Sequence, residues 1–397
     1  MTTLDAWRNM REVCIVGVGL HKFGRGKGLG SMGREAILAA FDEAGAEFND
    51  IQAGFSGRTY GITGTGQNIL GEVGQTGILI DNVEKASASS SAAVRLATWA
   101  IGAGLYDVCL CVGVESMGSI FMFTDESKPG SAMLGMPVMD APDTTFRQLM
   151  GIDVVPAQYA LWARRHMHDY GTTREMFARV TVKNRKNGVL NPYAEYQTPL
   201  TLEEILNSEM IADPLTFHQC ARASDGASAM VLCAKEVAHR FRGKPITIAG
   251  WASGTPQHGS VRFGMDISEG MVARLAAECY ERAGVDPQDV DVAQVHDAFS
   301  SGEILAIEEC GICPAGEGGR FIWEGKADIG GQTPVNTDGG LEGRGNPQGA
   351  TGIAQLAEIV RQLRGEAGPR QVPGNPKVGL THSTGISAGC QIFILTK

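Results

Sequence analysis

The sequence predicts an α/β protein built from two related halves, and three observations carry that expectation. Short apolar runs ending at glycine alternate with helical patterns. Two such units superpose at an offset of 239 residues: Phe41-Asp42-Glu43-Ala44-Gly45 lies on Tyr280-Glu281-Arg282-Ala283-Gly284, and Asp50-Ile51 on Asp289-Val290. Glycine is abundant, with 53 in 397 residues, against a hydrophobic fraction of 43% and a charged fraction of only 20%. That balance describes tight turns between buried elements rather than a disordered chain.

The first unit opens with the strand Val13-Cys14-Ile15-Val16-Gly17 and continues into a helix from Gly33 to Ala44. Cys109 and Cys111 fall in a further strand, and Ser228 to Ala234 is a buried strand by its apolar run. The second unit has a strand Ile246 to Gly250 and an amphipathic helix Met271 to Ala283, and Cys390 to Leu395 is strand-like. From Phe121 to Asp213 the rhythm lapses into Met-, Pro- and Gly-rich loops, a helix Ala157 to Tyr170 and the basic stretch Lys183-Asn184-Arg185-Lys186. The expected organisation is an N-terminal half over 1–120 and 213–244, an inserted region over 121–212, and a C-terminal half over 245–397, with helices layered on sheets.

A net charge of −10 argues against a general nucleic-acid or anionic-membrane surface, while leaving room for a local basic patch. No apolar run reaches the roughly 18 residues of a membrane span. Met1 to Arg8 lacks the apolar core and small-residue cleavage site of a secretory signal. A cytoplasmic location is expected. Nine cysteines, an odd number mostly in apolar contexts, fit reduced buried thiols better than a disulfide framework. Cys310-Gly311-Ile312-Cys313 has the spacing of half a zinc site, but no second pair or nearby histidine completes the four ligands that structural zinc needs. No metal is expected.

Three motifs call for weighing. Gly385-Ile386-Ser387-Ala388-Gly389 matches the Gly-x-Ser-x-Gly nucleophile elbow, yet only eight residues follow it, too few for the helix, acid and histidine of that fold. A glycine-rich turn entering a final strand is the better reading. Gly28-Leu29-Gly30-Ser31-Met32-Gly33 matches the dinucleotide fingerprint, but follows a charged stretch rather than a strand, so a mobile loop is expected. In Asn82 to Ala97, small residues permit a sharp turn and the apolar pattern after Ser91 starts a helix. Ser87 then sits just ahead of a helix N-terminus, where backbone N–H groups and the dipole favour negative charge. Caps and packing space are the plainer use of those serines.

Several ordered motifs together resemble the thiolase superfamily, in its sterol-carrier-protein/lipid-transfer branch, nearly end to end. They are the Ser87 segment, Leu110-Cys111-Val112-Gly113-Val114-Glu115-Ser116-Met117, Arg222-Ala223-Ser224-Asp225-Gly226-Ala227, Val295-His296-Asp297-Ala298-Phe299, and Asn336-Thr337-Asp338-Gly339-Gly340 running into Gly345-Asn346-Pro347-Gln348-Gly349-Ala350-Thr351-Gly352. The ending Thr381-His382-Ser383-Thr384-Gly385 completes the set. The resemblance implies a thiolase fold: duplicated halves in a five-layered α-β-α-β-α core, with a loop domain inserted. It also implies a homodimer and coenzyme A thioesters as substrates, with coenzyme A a substrate rather than a bound cofactor. Some relatives work with a zinc-ribbon/OB-fold partner. Lys183, Arg185 and Ser224 become candidate coenzyme A contacts, with a solvated loop as the alternative for the basic stretch.

The resemblance also implies departures. A cysteine occupies the position of Ser87 in that branch, a cysteine often stands where Ala298 does, and a histidine takes the place of Asn346. His296 keeps its motif and His382 matches a histidine position of the branch, whereas Cys390 reads as buried core. A serine hydroxyl needs a positioned base where a thiol needs less help, and Asn346 can orient and donate but cannot accept a proton as a base. Ser87, His296, Asn346 and His382 are the candidate catalytic residues. Backbone N–H groups at Ser87 and the Gly385 to Gly389 turn, together with His296 and the Asn346 amide, can stabilise an oxyanion or enolate.

Three readings follow from the resemblance. One is a thiolase-type acyltransferase, with Ser87 standing for an inactivated cysteine. Another is a retro-aldolase acting on a 3-hydroxyacyl-CoA, although the tyrosines of such lyases are missing from the corresponding positions. The last is a non-catalytic acyl-CoA-binding or scaffold subunit. The Met-rich stretch 131–139 fits an adaptable acyl pocket or ordinary core.

Overall fold

The computed structural model describes residues 10–24, 26, 28–60, 63–74, 77–117, 154–255, 270–385 and 389–397. The Met-rich stretch 131–139 and the first eight residues lie outside them. The strands are β1 (Val13–Leu20), β2 (Ala53–Gly57), β3 (Leu79–Val83), β4 (Val108–Ser116), β5 (Met210–Ala212), β6 (Leu215–Thr216), β7 (Asp225–Ala234), β8 (Ile246–Gly254), β9 (Val292–Gln294), β10 (Val378–Gly385) and β11 (Gly389–Thr396). The helices are α1 (Leu29–Ala44), α2 (Thr65–Gly71), α3 (Ser89–Gly102), α4 (Val154–Tyr170), α5 (Arg174–Val189), α6 (Leu202–Leu206), α7 (Met271–Ala283), α8 (Ser300–Glu309), α9 (Gly318–Trp323), α10 (Gly340–Arg344) and α11 (Gln348–Arg364).

The duplication is visible in strand order. The main sheet of the described residues runs β3-β2-β4-β7-β1-β8-β11-β10-β9. Read outward from the centre, β1-β7-β4-β2 in the first half matches β8-β11-β10-β9 in the second, and within the sheet the halves meet where β1 pairs β8, at Cys14↔Thr247 and Ile15↔Ile246. The repeated helices end alike: α1 and α7 stop at Gly45 and Gly284, both left-handed with φ 67°. Only glycine adopts that C-terminal cap without a Cβ penalty. Capping boxes then follow at Glu47/Asp50 and Asp286/Asp289.

Alternating side chains along the strands divide the core into three apolar layers. On β1, Val13 and Ile15 face a central cluster, while Cys14 and Val16 face α1 and α2. On β11, Phe393 and Leu395 face the same centre, while Ile392 and Ile394 face α7 and α8. The centre is filled by α3 (Ala93, Val94, Ala97, Ile101) and α11 (Ile353, Ala354, Leu356, Ala357, Val360, Leu363). Helices, sheet, helices, sheet, helices make five layers. Of α11 every residue but Arg361 is buried, as a helix covered on all sides requires. The two central helices cross so closely that a Cβ on Gly352 would lie 2.6 Å from the Ser91 nitrogen.

Several local expectations change. Gly28 is the N-cap of α1, so the Gly-x-Gly-x-x-Gly stretch forms a helix start rather than a mobile loop. Its last glycine, Gly33, lets α1 approach Ile69 of α2. The basic stretch lies within α5, not in a loop. Gly385 and Gly389 are paired ends of the β10–β11 hairpin, with 386–388 outside the described residues, so no strand-to-helix elbow exists there. Cys310, Cys313 and Cys390 are buried free thiols, and burial pushes Cys313 up to about 12.

Candidate active site

Ser87 is presented by a strained turn. Ala86 immediately before it has φ 47°, a conformation that costs a non-glycine residue about 1 kcal/mol or more. The turn is held by Ala86 N–H donating to Glu84 Oε1 at 2.7 Å and Lys85 N–H donating to Ser89 Oγ at 2.8 Å. Ser89 Oγ donates in turn to the Ala86 carbonyl at 2.6 Å. Gly385 closes on this turn, since a Cβ there would lie 2.2 Å from the Lys85 carbonyl oxygen. Ser87 is buried, and its hydroxyl makes no hydrogen bond to a described residue. The neighbouring serines of α3 serve packing: Ile353 N–H donates to Ser90 Oγ at 3.1 Å, and the Ser91 and Ser383 hydroxyls are 2.6 Å apart.

His296 follows β9 on a loop braced by buried polar contacts. Val295 N–H donates to Asn336 Oδ1 at 2.9 Å. Asp297 accepts from Leu341 N–H at 2.8 Å and from Asn184 Nδ2 at 2.9 Å. Glu303 accepts from Asn184 and Asn336, each at 2.8 Å, and pairs with Lys183 Nζ at 2.9 Å. Burial and the neighbouring Glu303 carboxylate raise Asp297 to about 7. Burial, with His382 and Arg344 nearby, pushes His296 down to about 3, and burial pushes His382 down to about 4. Both imidazoles are therefore neutral near pH 7. His296 N–H donates to His382 Nδ1 at 3.4 Å, which leaves the proton of His382 on Nε2.

Asn346 enters α11 between Gly345, at φ 109°, and Pro347. Its N–H donates to Ser224 Oγ at 3.1 Å, and its Oδ1 accepts from Thr351 Oγ1 at 3.3 Å. Its Nδ2 donors have no partner among the described residues.

Ser87, His296 and Asn346 converge on one cavity of about 40 Å³, with Ala86, Ala221, Ala298, Phe299, Val155, Tyr159 and Gln348 completing its wall. It has room for a few waters. Ser87 precedes α3 and Gln348 begins α11, so both central helices aim their N-termini at this space. Two positive dipole ends, the Ser87 hydroxyl and the Asn346 Nδ2 donors make a site that stabilises negative charge on a bound oxygen. None of the nine cysteines lines it. His382 is not on its wall; its Nδ1 accepts from the His296 backbone N–H.

The candidate coenzyme A contacts separate. Lys183 cannot serve as a phosphate ligand: it is 1% exposed and is held by Glu303, Asn184 and the Val335 carbonyl at 2.8 Å. Ser224 is turned inward, donating to Glu195 and accepting from Asn346, so it sets the Asn346 backbone. Arg185 remains half-exposed, its guanidinium 4.5 Å from the Tyr196 ring centre, with Arg222 stacked at 4.1 Å on Phe217 beside it. Arg222, which the sequence shows only as part of a motif, is not legible there as a cationic contact because its partners lie in separate segments. Tyr159 lies on the cavity wall, away from the motif positions, which carry no tyrosine. Only its place in a helical apolar pattern could have signalled it, and that equally describes a core residue.

An α/β protein with two equivalent helix N-termini converging on an oxyanion-stabilising cavity defines a class, and comparison with known proteins agrees. The family model described as "Thiolase, N-terminal domain" matches residues 13–236, and "Thiolase C-terminal domain-like" matches 255–397. The chain belongs to the thiolase family. It is 39% identical over 390 residues to the acetyl-CoA acetyltransferase of Methanothermobacter thermautotrophicus, covering 96% of this chain and 98% of that one. It is 36% identical to benzoylsuccinyl-CoA thiolase subunit BbsB of Thauera aromatica, over 96% of both. It is 34% identical to human sterol carrier protein 2, over 97% of this chain and 72% of that protein. Among solved structures, the Ltp2-ChsH2(DUF35) aldolase superposes with a TM-score of 0.80 at 28% identity over 97% of both chains. The acetyl-CoA acetyltransferase of Syntrophomonas wolfei shares the fold, with a TM-score of 0.73 at 19% identity over 98% of this chain and 99% of that one. Among the described residues no helix is long and apolar enough to cross a membrane.

Proposed function

We propose that this protein cleaves or forms a carbon–carbon bond next to a coenzyme A thioester through an enolate, without an acyl-enzyme, as a retro-aldolase on a 3-hydroxyacyl-CoA. The observation that carries this reading is the cavity wall itself. It offers neutral His296, the Asn346 carboxamide and two helix N-termini, but no thiol, and no base among the described residues is hydrogen-bonded to Ser87. Neutral His296 takes the 3-hydroxyl proton as the C2–C3 bond breaks. The bond's electron pair passes to C2 and the thioester oxygen, where Asn346 Nδ2 and the helix N-termini stabilise the enolate. Proton return to C2 then gives a shortened acyl-CoA and an aldehyde or ketone. Likeness to the Ltp2-ChsH2(DUF35) aldolase supports the reading and a partner subunit; a zinc-ribbon/OB-fold build for that partner, a homodimeric core and a cytoplasmic location are part of the proposal. Coenzyme A enters as part of the thioester substrate, with Arg185 and Arg222 the cationic groups near one another for its phosphates.

A second reading is favoured by the strained turn under Ser87: acyl transfer, with Ser87 in the place of a nucleophilic cysteine. The two separate in one assay. A 3-hydroxyacyl-CoA is incubated with the protein, alone and with a co-expressed partner, and carbonyl release is followed with and without free coenzyme A. Release without coenzyme A is expected. Strict dependence on it, or thiolysis of a 3-oxoacyl-CoA by Ser87→Cys alone, overturns the aldol reading.

A further inference from the structure

A second cavity, of about 730 Å³, opens in the second half beside the edge strand β9 and shares no wall residue with the reaction cavity. Its walls are loops pinned by backbone bonds. Asp291 N–H donates to the Val378 carbonyl at 3.0 Å, Ile312 N–H to the Ile307 carbonyl at 2.9 Å, and Thr333 N–H to the Lys326 carbonyl at 3.1 Å. Pro287, Pro314, Pro334 and Pro373, with Ile312 and Val372, give it a stiff apolar lining. Such a preformed, largely apolar hollow with a few polar groups is what small-molecule sites share.

The polar groups are of one kind. Two carboxylates line the cavity and no cationic side chain does. Glu308, with its side chain 7% exposed, is fixed by accepting from Gly318 N–H at 2.7 Å and from His166 Nε2 at 3.0 Å. Asp291 Oδ2 accepts from the Lys377 and Val378 N–H groups at 2.7 and 3.0 Å, which leaves Oδ1 for another donor. Thr333 is 8% exposed, yet its hydroxyl makes no hydrogen bond to a described residue, so a partner in the cavity is called for. The Cys313 thiol, pushed up to about 12 by burial, adds no charge, and Lys326 near it is paired with Glu324 at 2.7 Å. Among the described residues no three His, Cys, Asp or Glu side chains are grouped to hold a metal ion. The charge therefore suits an organic cation, whose methylenes pack on apolar surface while its ammonium donates to carboxylates.

We propose that this cavity binds a small aliphatic di- or polyamine, its ammonium groups donating to Glu308, Asp291 and Thr333 and its methylenes lying along the proline wall. The site stands apart from the proposed reaction and does not depend on it.

The test is titration calorimetry of the intact protein with spermidine at low salt. Saturable binding with Kd below about 1 mM is expected, and none of tetramethylammonium, which has the charge but no N–H donor. Gln332→Lys, at an exposed wall position, places a competing cation in the cavity and should weaken spermidine at least about tenfold. Thr333→Val, which keeps the shape, should weaken it about threefold or more. A net charge of −10 attracts polycations to the surface generally, but Gln332→Lys alters that charge by only one unit. Undiminished affinity in Gln332→Lys therefore means surface binding and overturns the proposal, even if Thr333→Val fails to fold. Absence of saturable binding by the wild type, or equal binding of tetramethylammonium, overturns it too. If spermidine does not bind and Gln332→Lys instead releases a co-expressed partner subunit, the cavity is a protein contact and the amine site falls.

Discussion

The lead-ins to α3 and α11 occupy equivalent places in the two halves, and they are built from different materials. The first is stitched by hydroxyls and backbone: Ser89, Ser90 and Ser91 bond to the Ala86 carbonyl, the Ile353 N–H and Ser383. The second rests on buried charge: Lys183 with Glu303, Arg344 with Asp338, and Asp297 accepting from the Leu341 N–H. The first half thus delivers one hydroxyl on a strained turn, and the second delivers the imidazole and carboxamide. Duplication supplied two positive helix ends; divergence put the proton-handling groups on one side.

Breaking the charged side should cost most. Lys183→Met leaves Glu303 buried without its cation and is expected to destabilise by about 3–5 kcal/mol, read by urea unfolding, while the folded fraction keeps its coenzyme A affinity. Loss of affinity with stability unchanged would restore Lys183 as a ligand contact.

Acid should act on the same side. Unfolded His382 charges below pH ~6.5, whereas native His382 stays neutral down to about 4. The unfolded state binds more protons in that window, so stability falls as pH drops from 6.5 towards 4. Asp297, raised to about 7, works in the opposite direction between about pH 4 and 7, so the comparison with His382→Gln isolates the histidine. The wild type should lose about 2–3 kcal/mol more than the variant between pH 7 and 4. Parallel pH–stability curves would place His382 in a solvated setting.

The hydroxyl-stitched side should give least. Ser91→Ala removes bonds to Ala88 and Ser383 and is expected to cost about 1 kcal/mol, read by thermal unfolding. A cost equal to that of Lys183→Met would erase the contrast between the halves.

Much of this was legible in the chain because it depends on local pattern. The helix Met271–Ala283 has the predicted limits, Ser87 stands just ahead of α3, and Cys390 is core. What escaped depends on distant partners. Lys183 reads as a surface charge until Glu303, far along the chain, is folded beneath it. Gly33 reads only as the start of a helical pattern until Ile69 closes on it. Tyr159 has a core residue's pattern and becomes part of the site only because Phe299, Gly302 and Thr384 surround it.

The central claim is that the enolate-stabilising groups of the second half carry the reaction and the Ser87 hydroxyl does not. Single-turnover cleavage of a 3-hydroxyacyl-CoA without added coenzyme A tests it directly, comparing Ser87→Ala with Asn346→Ala. Ser87→Ala should keep the rate within about threefold, while Asn346→Ala should lose about 100-fold, as expected for a missing oxyanion donor. A Ser87→Ala protein that loses all cleavage while Asn346→Ala retains it would contradict the account.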